Sequence, residues 1–285
     1  MMNPLRSMIG KISLRLSYYH QPRNRFFLRQ VSIGGLKLVV PSNEDVGRAI
    51  AYLGSYEPEE TGYLLRTLRP DDVCFDVGAN IGYYTTLMAR AAADGHVHAF
   101  EPDPVCSSLL ELNVRINELS NASLNRTAIG AQPGRARLVR STDSGFNSLR
   151  DTGRRPVSST VDVPMSTIDS YTETIGAGRV DILKVDVEGA EGLVLEGAGR
   201  LLADPEKRPR LILLELFEPN QKPFDLGVGE IVDLMRRRGY EPFVVLEGKT
   251  IPYTRMHQDR CVNVFFRTDE LASGRVREPR IQAAR

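Results

Sequence analysis

Tryptophan is absent and cysteine scarce: the 285 residues hold no Trp and three Cys. Cys74, Cys106 and Cys261 are odd in number and scattered. They offer neither a disulfide framework nor a zinc or redox spacing, and a reducing cytoplasm is the expected compartment. No apolar run reaches 18 residues, so no segment reads as a bilayer-spanning helix. The stretch 5–16 is broken by Arg6, Lys11 and Arg15 and does not read as a signal peptide. Internal repeats and low-complexity blocks are missing as well. Acid is missing from the first 43 residues, which carry Arg6, Lys11, Arg15, Arg23, Arg25, Arg29 and Lys37. Leu5, Met8, Ile9, Ile12 and Leu16 fall on one helical face among these charges. The arm therefore suits peripheral contact with an anionic membrane, and equally an ordinary basic surface. Beyond residue 43 there is no sustained basic stripe, which disfavours nucleic acid as a partner.

What is present is ordinary globular material: 41% hydrophobic, 26% charged and a net charge of +1, enough for one sizeable core. Residues 31–40 read as a short hairpin turning at Gly34 and Gly35, outside the main sheet. A helix is expected over 58–68, with Pro58 in its first turn and Pro70 closing it. From residue 73 the chain alternates strands and helices. Strands are expected at 73–77, 96–100, 123–129, 180–187 and 209–216, and helices at 81–93, 190–202 and 229–238. A further helix follows Asp103 as N-cap and Pro104 at N1, with Val105, Leu109, Leu112 and Ile116 on one face. Residues 130–164 read as an insertion of small strands. Two last strands, 241–246 and 261–267, have no helix between them. The pattern predicts an α/β, Rossmann-like, doubly wound and mainly parallel sheet with an antiparallel final strand pair. Residues 1–50 read as a basic extension, 51–268 as the folded domain and 269–285 as a flexible tail.

The first strand runs into Asp76, Val77, Gly78, Ala79, Asn80, Ile81 and Gly82. A glycine turn between strand and helix lets a ligand approach the backbone, and the helix start offers free N–H groups. The spacing is G-x-x-x-G, not the dinucleotide fingerprint. Asp76 at the strand end repels a pyrophosphate but attracts the ammonium and sulfonium of S-adenosylmethionine. Glu101 ends the second strand 25 residues later, where a carboxylate accepts hydrogen bonds from a ribose diol. His96 and His98 share a strand face without a third ligand and read as strand surface.

These residues carry a family resemblance. Asp76–Gly82 with Tyr83, Tyr84 and Thr85, then Phe100, Glu101 and Pro102, then the string ILKVDVEGAE at 182–191, resemble the FkbM-type methyltransferases. So do the shorter strings at 127–130, 163–169 and 194–197. The likeness runs from about residue 56 to 266. It implies O-methylation of a hydroxyl on a sugar, glycan or polyketide-like natural product, with S-adenosylmethionine as cofactor. By the same resemblance Asp76, Gly78, Asn80, Gly82 and Tyr83 hold the methionine part, Glu101 holds the ribose, and Ala128 and Ile129 flank the adenine.

A second acidic group, Asp186, Glu188 and Glu191, lies where a strand ends and a helix begins, with Glu215 and Glu218 ending the next strand. The crevice of an open α/β sheet lies beyond such ends, so Asp186 and Glu188 are the candidate catalytic residues. They act either as a base or as holders of a divalent metal, whose need stays open. Glu191 reads equally as a carboxylate complementing a helix dipole. Lys184 is placed to pair with the group, and Asn147 and Ser148 are candidates for added cleft contacts. N-methyl transfer to an amine and a non-catalytic cofactor-binding module remain the alternatives; the intact acids argue against the second.

Overall fold

The structure is a computed structural model describing residues 27–254, 257 and 260–269. The apolar face drawn through Leu5–Leu16 and the tail beyond 269 lie outside the described residues. Strands β1 (Leu28–Ile33) and β2 (Leu36–Pro41) form a two-stranded antiparallel hairpin, followed by helices α1 (Asp45–Leu53) and α2 (Pro58–Thr67). The main sheet begins with β3 (Val73–Val77), α3 (Tyr83–Ala91), β4 (His96–Phe100), α4 (Pro104–Ile116) and β5 (Ala122–Asn125). It resumes with β9 (Ile182–Val185) and β10 (Leu211–Leu216), and closes with β11 (Glu241–Leu246), β12 (Lys249–Pro252) and β13 (Val262–Arg267). Between the two halves stand β6 (Ala128–Ile129), β7 (Gly134–Ser141), β8 (Val157–Ser166) and α5 (Ile168–Ile175). Helices α6 (Glu191–Glu196) and α7 (Gly199–Ala203) follow β9, and α8 (Glu218–Gln221) and α9 (Val228–Arg237) follow β10.

The eight-stranded sheet has the order β12-β11-β13-β10-β9-β3-β4-β5. Strands β10, β9, β3, β4 and β5 run parallel. Strand β13 is antiparallel to both β10 and β11, and so closes the sheet as the helix-free connection requires. The chain winds outward from β3 through β4 to β5, then returns to lay β9 on the other side of β3. The strand order reverses between β3 and β9, and there the connections diverge and leave a crevice.

Alternation along the strands builds two cores. Phe75, Val77, Leu183, Val185, Ile212, Leu214 and Phe266 face one cluster with Val194, Ile231 and Met235. Cys74, Ile182, Leu213 and Phe265 face the other with Leu64, Tyr84 and Met88. The hairpin belongs to this second core, for Leu36, Leu38 and Val40 are buried in it. Three expectations change. The stretch 123–129 is two strands, β5 in the main sheet and β6 in a separate sheet of order β6-β8-β7. The helix expected over 190–202 divides into α6 and α7 at Gly197, where a Cβ would stand 2.1 Å from the Gly130 carbonyl oxygen. Helix α4 buries Cys106, Leu110, Asn113 and Val114, while Val105 and Leu112 are exposed. Apolarity alone selected the wrong stripe because a cysteine and an asparagine sit on the buried one. Asn113 accepts from Val39 N and donates to the carbonyls of Val39 and Ile81, fastening the hairpin to α4.

Candidate active site

The period-two alternation that makes the core also makes the site. On the face of Cys74, Ile182, Leu213 and Phe265, each strand carries one polar residue two positions along: Asp76, Lys184, Glu215 and Asn263. Asp76 is registered opposite Lys184, and Glu215 opposite Asn263. A buried polar layer results at the strand ends, next to the switch point. Lys184 Nζ donates to the Gly78 carbonyl and to Asp186 Oδ2, both at 3.2 Å, and stands 3.6 Å from Asp76 Oδ1. The Tyr84 ring lies 5.1 Å from the same ammonium. Burial works against the charged lysine, but the carboxylates of Asp186, Asp76 and Glu57 outweigh it and hold its pKa above the ordinary value.

The loop after β3 is shaped by close approach. Gly78 has φ +78°, and a Cβ there would fall 1.8 Å from the Asp186 carbonyl oxygen; Asp186 N donates to Val77 O across the same gap. Gly78 N and Ala79 N both donate to Phe100 O. Glu101 continues this arrangement, accepting Asn80 N on Oε2 and Asp103 N on Oε1, each at 2.8 Å. Burial pushes its carboxyl up to about 7 against the pull of those two N–H groups.

A cleft of ≈ 870 Å³ opens over these parts. Of the residues marked from sequence, Gly78, Asn80, Tyr83, Glu101, Ala128, Ile129, Asn147, Ser148, Asp186 and Glu188 line it. Asp76, Gly82, Glu191 and Glu218 do not. Asp76 is fully buried behind the loop, with Oδ2 accepting from Thr85 Oγ1 at 2.5 Å, so its side chain supports the loop. Gly82 serves packing, since a Cβ would lie 2.5 Å from Leu110 Cδ1 and its φ is +86°. Glu191 accepts from Val187 N, Gly189 N and Gln221 Nε2 and closes its own turn. Glu218 accepts from Val228 N at the start of α9. His96 bonds Ser123 and His98 bonds Tyr171, away from the cleft.

Of the second acidic group, Asp186, Glu188 and Glu215 come together, and further side chains join them. Ligand oxygens of Asp186, Glu188 and Glu215 lie within 4.8 Å of one another. Glu188, with φ +53°, receives Arg154 Nη1 at 2.8 Å and Asn220 Nδ2 at 2.5 Å on Oε2. Arg154 in turn lies between the Phe146 and Phe217 rings, 4.5 and 5.0 Å from their centroids. Burial, then repulsion from Asp186, pushes Glu188 up to about 8. The same two causes push Glu215 well above the carboxylate range. Glu57, at the start of α2, accepts from Tyr84 Oη and Asn263 Nδ2, and burial brings it to about 7. Sequence reasoning gave no site role to Glu57, Tyr84 or Arg154. The available signal was the single polar residue inside each apolar strand, which marks the face on which partners collect.

A family model of the methyltransferase FkbM domain matches residues 76–242, more than half of the chain and the whole span from Asp76 past the acidic group. The chain belongs to the FkbM methyltransferase family. It is 28% identical over 220 residues to 31-O-demethyl-FK506 methyltransferase FkbM of Streptomyces tacrolimicus, covering 67% of this chain and 80% of that protein. It is 31% identical over 173 residues to hexuronic acid methyltransferase AglP of Haloferax volcanii, covering 60% of this chain and 67% of the relative. The crystal structure of methyltransferase FkbM from Methylobacillus flagellatus KT aligns with a TM-score of 0.44 and 16% identity over 70% of this chain. This chain spans 44% of that longer one.

FkbM-type enzymes use S-adenosylmethionine, and the cleft suits it. Asn80 lines the cleft and its buried Oδ1 has no hydrogen-bond partner among the described residues, which leaves an acceptor at the loop for a donor-rich ligand. Each Glu101 oxygen has taken one N–H and keeps a lone pair for a diol. Ala128, Ile129 and Leu138 give the same cleft an apolar wall. Among the described residues no helix is long and apolar enough to cross a membrane.

Proposed function

We propose that the chain transfers the methyl group of S-adenosylmethionine to a hydroxyl of a sugar, glycan or natural-product acceptor. One observation carries this reading: a single cleft joins the Gly78–Glu101 cofactor side to Asp186 and Glu188 beyond the end of β9. The relatives named for FK506-type and hexuronic acid acceptors support hydroxylated substrates. When bound, the cofactor supplies an electrophilic methyl on a cationic sulfur. The loop at 78–80 and Tyr83 hold its methionine part, Glu101 binds the ribose diol, and Ala128 and Ile129 flank the base.

Asp186 is the base. It borders the cleft, takes Lys184 on Oδ2, and its Oδ1 accepts no hydrogen bond among the described residues. It would receive the hydroxyl proton as the acceptor oxygen takes the methyl group that the bound cofactor would supply, with S-adenosylhomocysteine as the neutral leaving group. Glu188 is already engaged by Arg154 and Asn220, which suits a positioning role toward the acceptor. A second reading draws on the 4.8 Å grouping of Asp186, Glu188 and Glu215: a divalent cation there would lower the hydroxyl pKa.

The test follows S-adenosylhomocysteine release over a panel of hydroxylated sugars and macrolide-like alcohols. Asp186→Asn is expected to lower turnover by about 10²-fold or more while S-adenosylhomocysteine still binds. Full activity of that variant would remove Asp186 from the chemistry. Chelator treatment followed by Mg²⁺ separates the two readings, for only the metal-assisted enzyme stops and recovers. The basic segment before the hairpin is proposed to touch anionic membrane; equal vesicle sedimentation of the full chain and of a variant lacking residues 1–26 would count against it.

A further inference from the structure

We infer that Lys184 is a positioning residue that sets how strongly the cleft distinguishes the cationic methyl donor from its neutral product. The inference rests on the cofactor reading above. An ammonium has three protons, and Lys184 meets acceptors from three places: Asp76 in β3, the Gly78 carbonyl in the cofactor loop, and Asp186 beyond β9. The Tyr84 ring covers another side. Lys184 also lines the cleft itself, so it acts on a bound ligand both through the loop it anchors and through its charge.

The charges at this end do not cancel. Asp76 and Asp186 bring two carboxylates to one lysine. The net negative balance favours S-adenosylmethionine, which carries one more positive charge than S-adenosylhomocysteine and otherwise one more methyl. Removing Lys184 makes the site more negative; neutralising Asp186 makes it less so. At separations of several ångströms beneath a protein surface, one unit charge changes affinity by about tenfold or more. A loop that merely loses its anchor weakens both ligands alike. The ratio of the two dissociation constants therefore reports charge and position, and is blind to a general loosening.

The experiment is calorimetric titration of the full chain with S-adenosylmethionine and with S-adenosylhomocysteine, for wild type, Lys184→Met and Asp186→Asn. No acceptor is needed. Lys184→Met is expected to weaken the product and to raise the product-to-donor ratio of dissociation constants by about tenfold. Asp186→Asn is expected to lower the same ratio by a similar factor. Ratios within twofold of wild type in both variants would overturn the inference and reduce Lys184 to a structural ion pair. Should Lys184→Met fail to fold, the ratio in Asp186→Asn decides alone: lowered, it supports the charge balance; unchanged, it ends it. A wild type that binds neither ligand would instead defeat the cofactor reading, and this inference with it.

Discussion

Glu101 is held by backbone rather than by a countercharge: one N–H on each oxygen, at 2.8 Å, and burial that lifts the carboxyl to about 7. A diol donating to both oxygens favours the ionised form, so binding and ionisation are linked. Affinity for S-adenosylhomocysteine is expected to rise as pH increases from 6 to 8 and then to level. Glu101→Gln should weaken binding by about ten- to a hundredfold, the cost of a charge-assisted hydrogen bond, and should flatten the pH dependence. Calorimetry across that range checks both; a slope that survives in Glu101→Gln would assign the titration to Glu57 or Glu188 instead.

Helix α4 shows how an element is positioned by polar groups as much as by apolar ones. Its N-terminus is capped by Asp103, which accepts from Val105 N and Cys106 N and also pairs with Arg140. Its buried stripe includes Asn113, whose amide satisfies three backbone groups of β2 and the cofactor loop. Asn113→Ala leaves those groups without that partner and is expected to cost at least about 2 kcal/mol, since each buried unsatisfied group costs about 1–3. At this chain length that is roughly 3–4 °C in Tm. Leu112→Ala, on the exposed face, should move stability by less than about 0.5 kcal/mol. Thermal denaturation of the two variants reads the contrast, and equal losses would contradict the burial of α4.

At the scale of the molecule, the strand ends concentrate carboxyls that the fold holds above their ordinary range. Burial brings Glu57, Glu101 and Glu191 to about 7 and Glu188 to about 8. In the unfolded chain the same groups titrate near 4.5. Between these limits the folded state binds more protons than the unfolded one, so stability falls as pH rises. The penalty begins above about 4.5 and is complete above about 8. The ligand-free chain is therefore expected to melt at a higher temperature at pH 5.5 than at pH 8. Saturating S-adenosylhomocysteine should raise Tm most at the alkaline end, where Glu101 is ionised and binds it best. A melting temperature that climbs from pH 5.5 to 8 without ligand would show that the acids are not strained by burial.

By itself the sequence determined the winding of the sheet, the glycine turn after β3 and the carboxylate at the end of β4. Each is written locally: apolar runs alternating with amphipathic helices, glycines at 78 and 82, and Glu101 at the next strand end. The closing antiparallel strands were legible for the same reason, because no helix separates them. What only the tertiary structure decided is which side chains meet. Strand β9 inserted beside β3 sets Asp76 opposite Lys184, more than a hundred residues away. Strand β13 beside β10 brings Asn263 onto Glu57. The segment carrying Arg154 falls on Glu188. Asp76, read from sequence as a ligand contact, was turned inward by that pairing and became a support for the loop. Local pattern records which face of a strand is buried, but a buried charge takes its role from partners that strand order supplies, and no periodicity along one strand encodes that order.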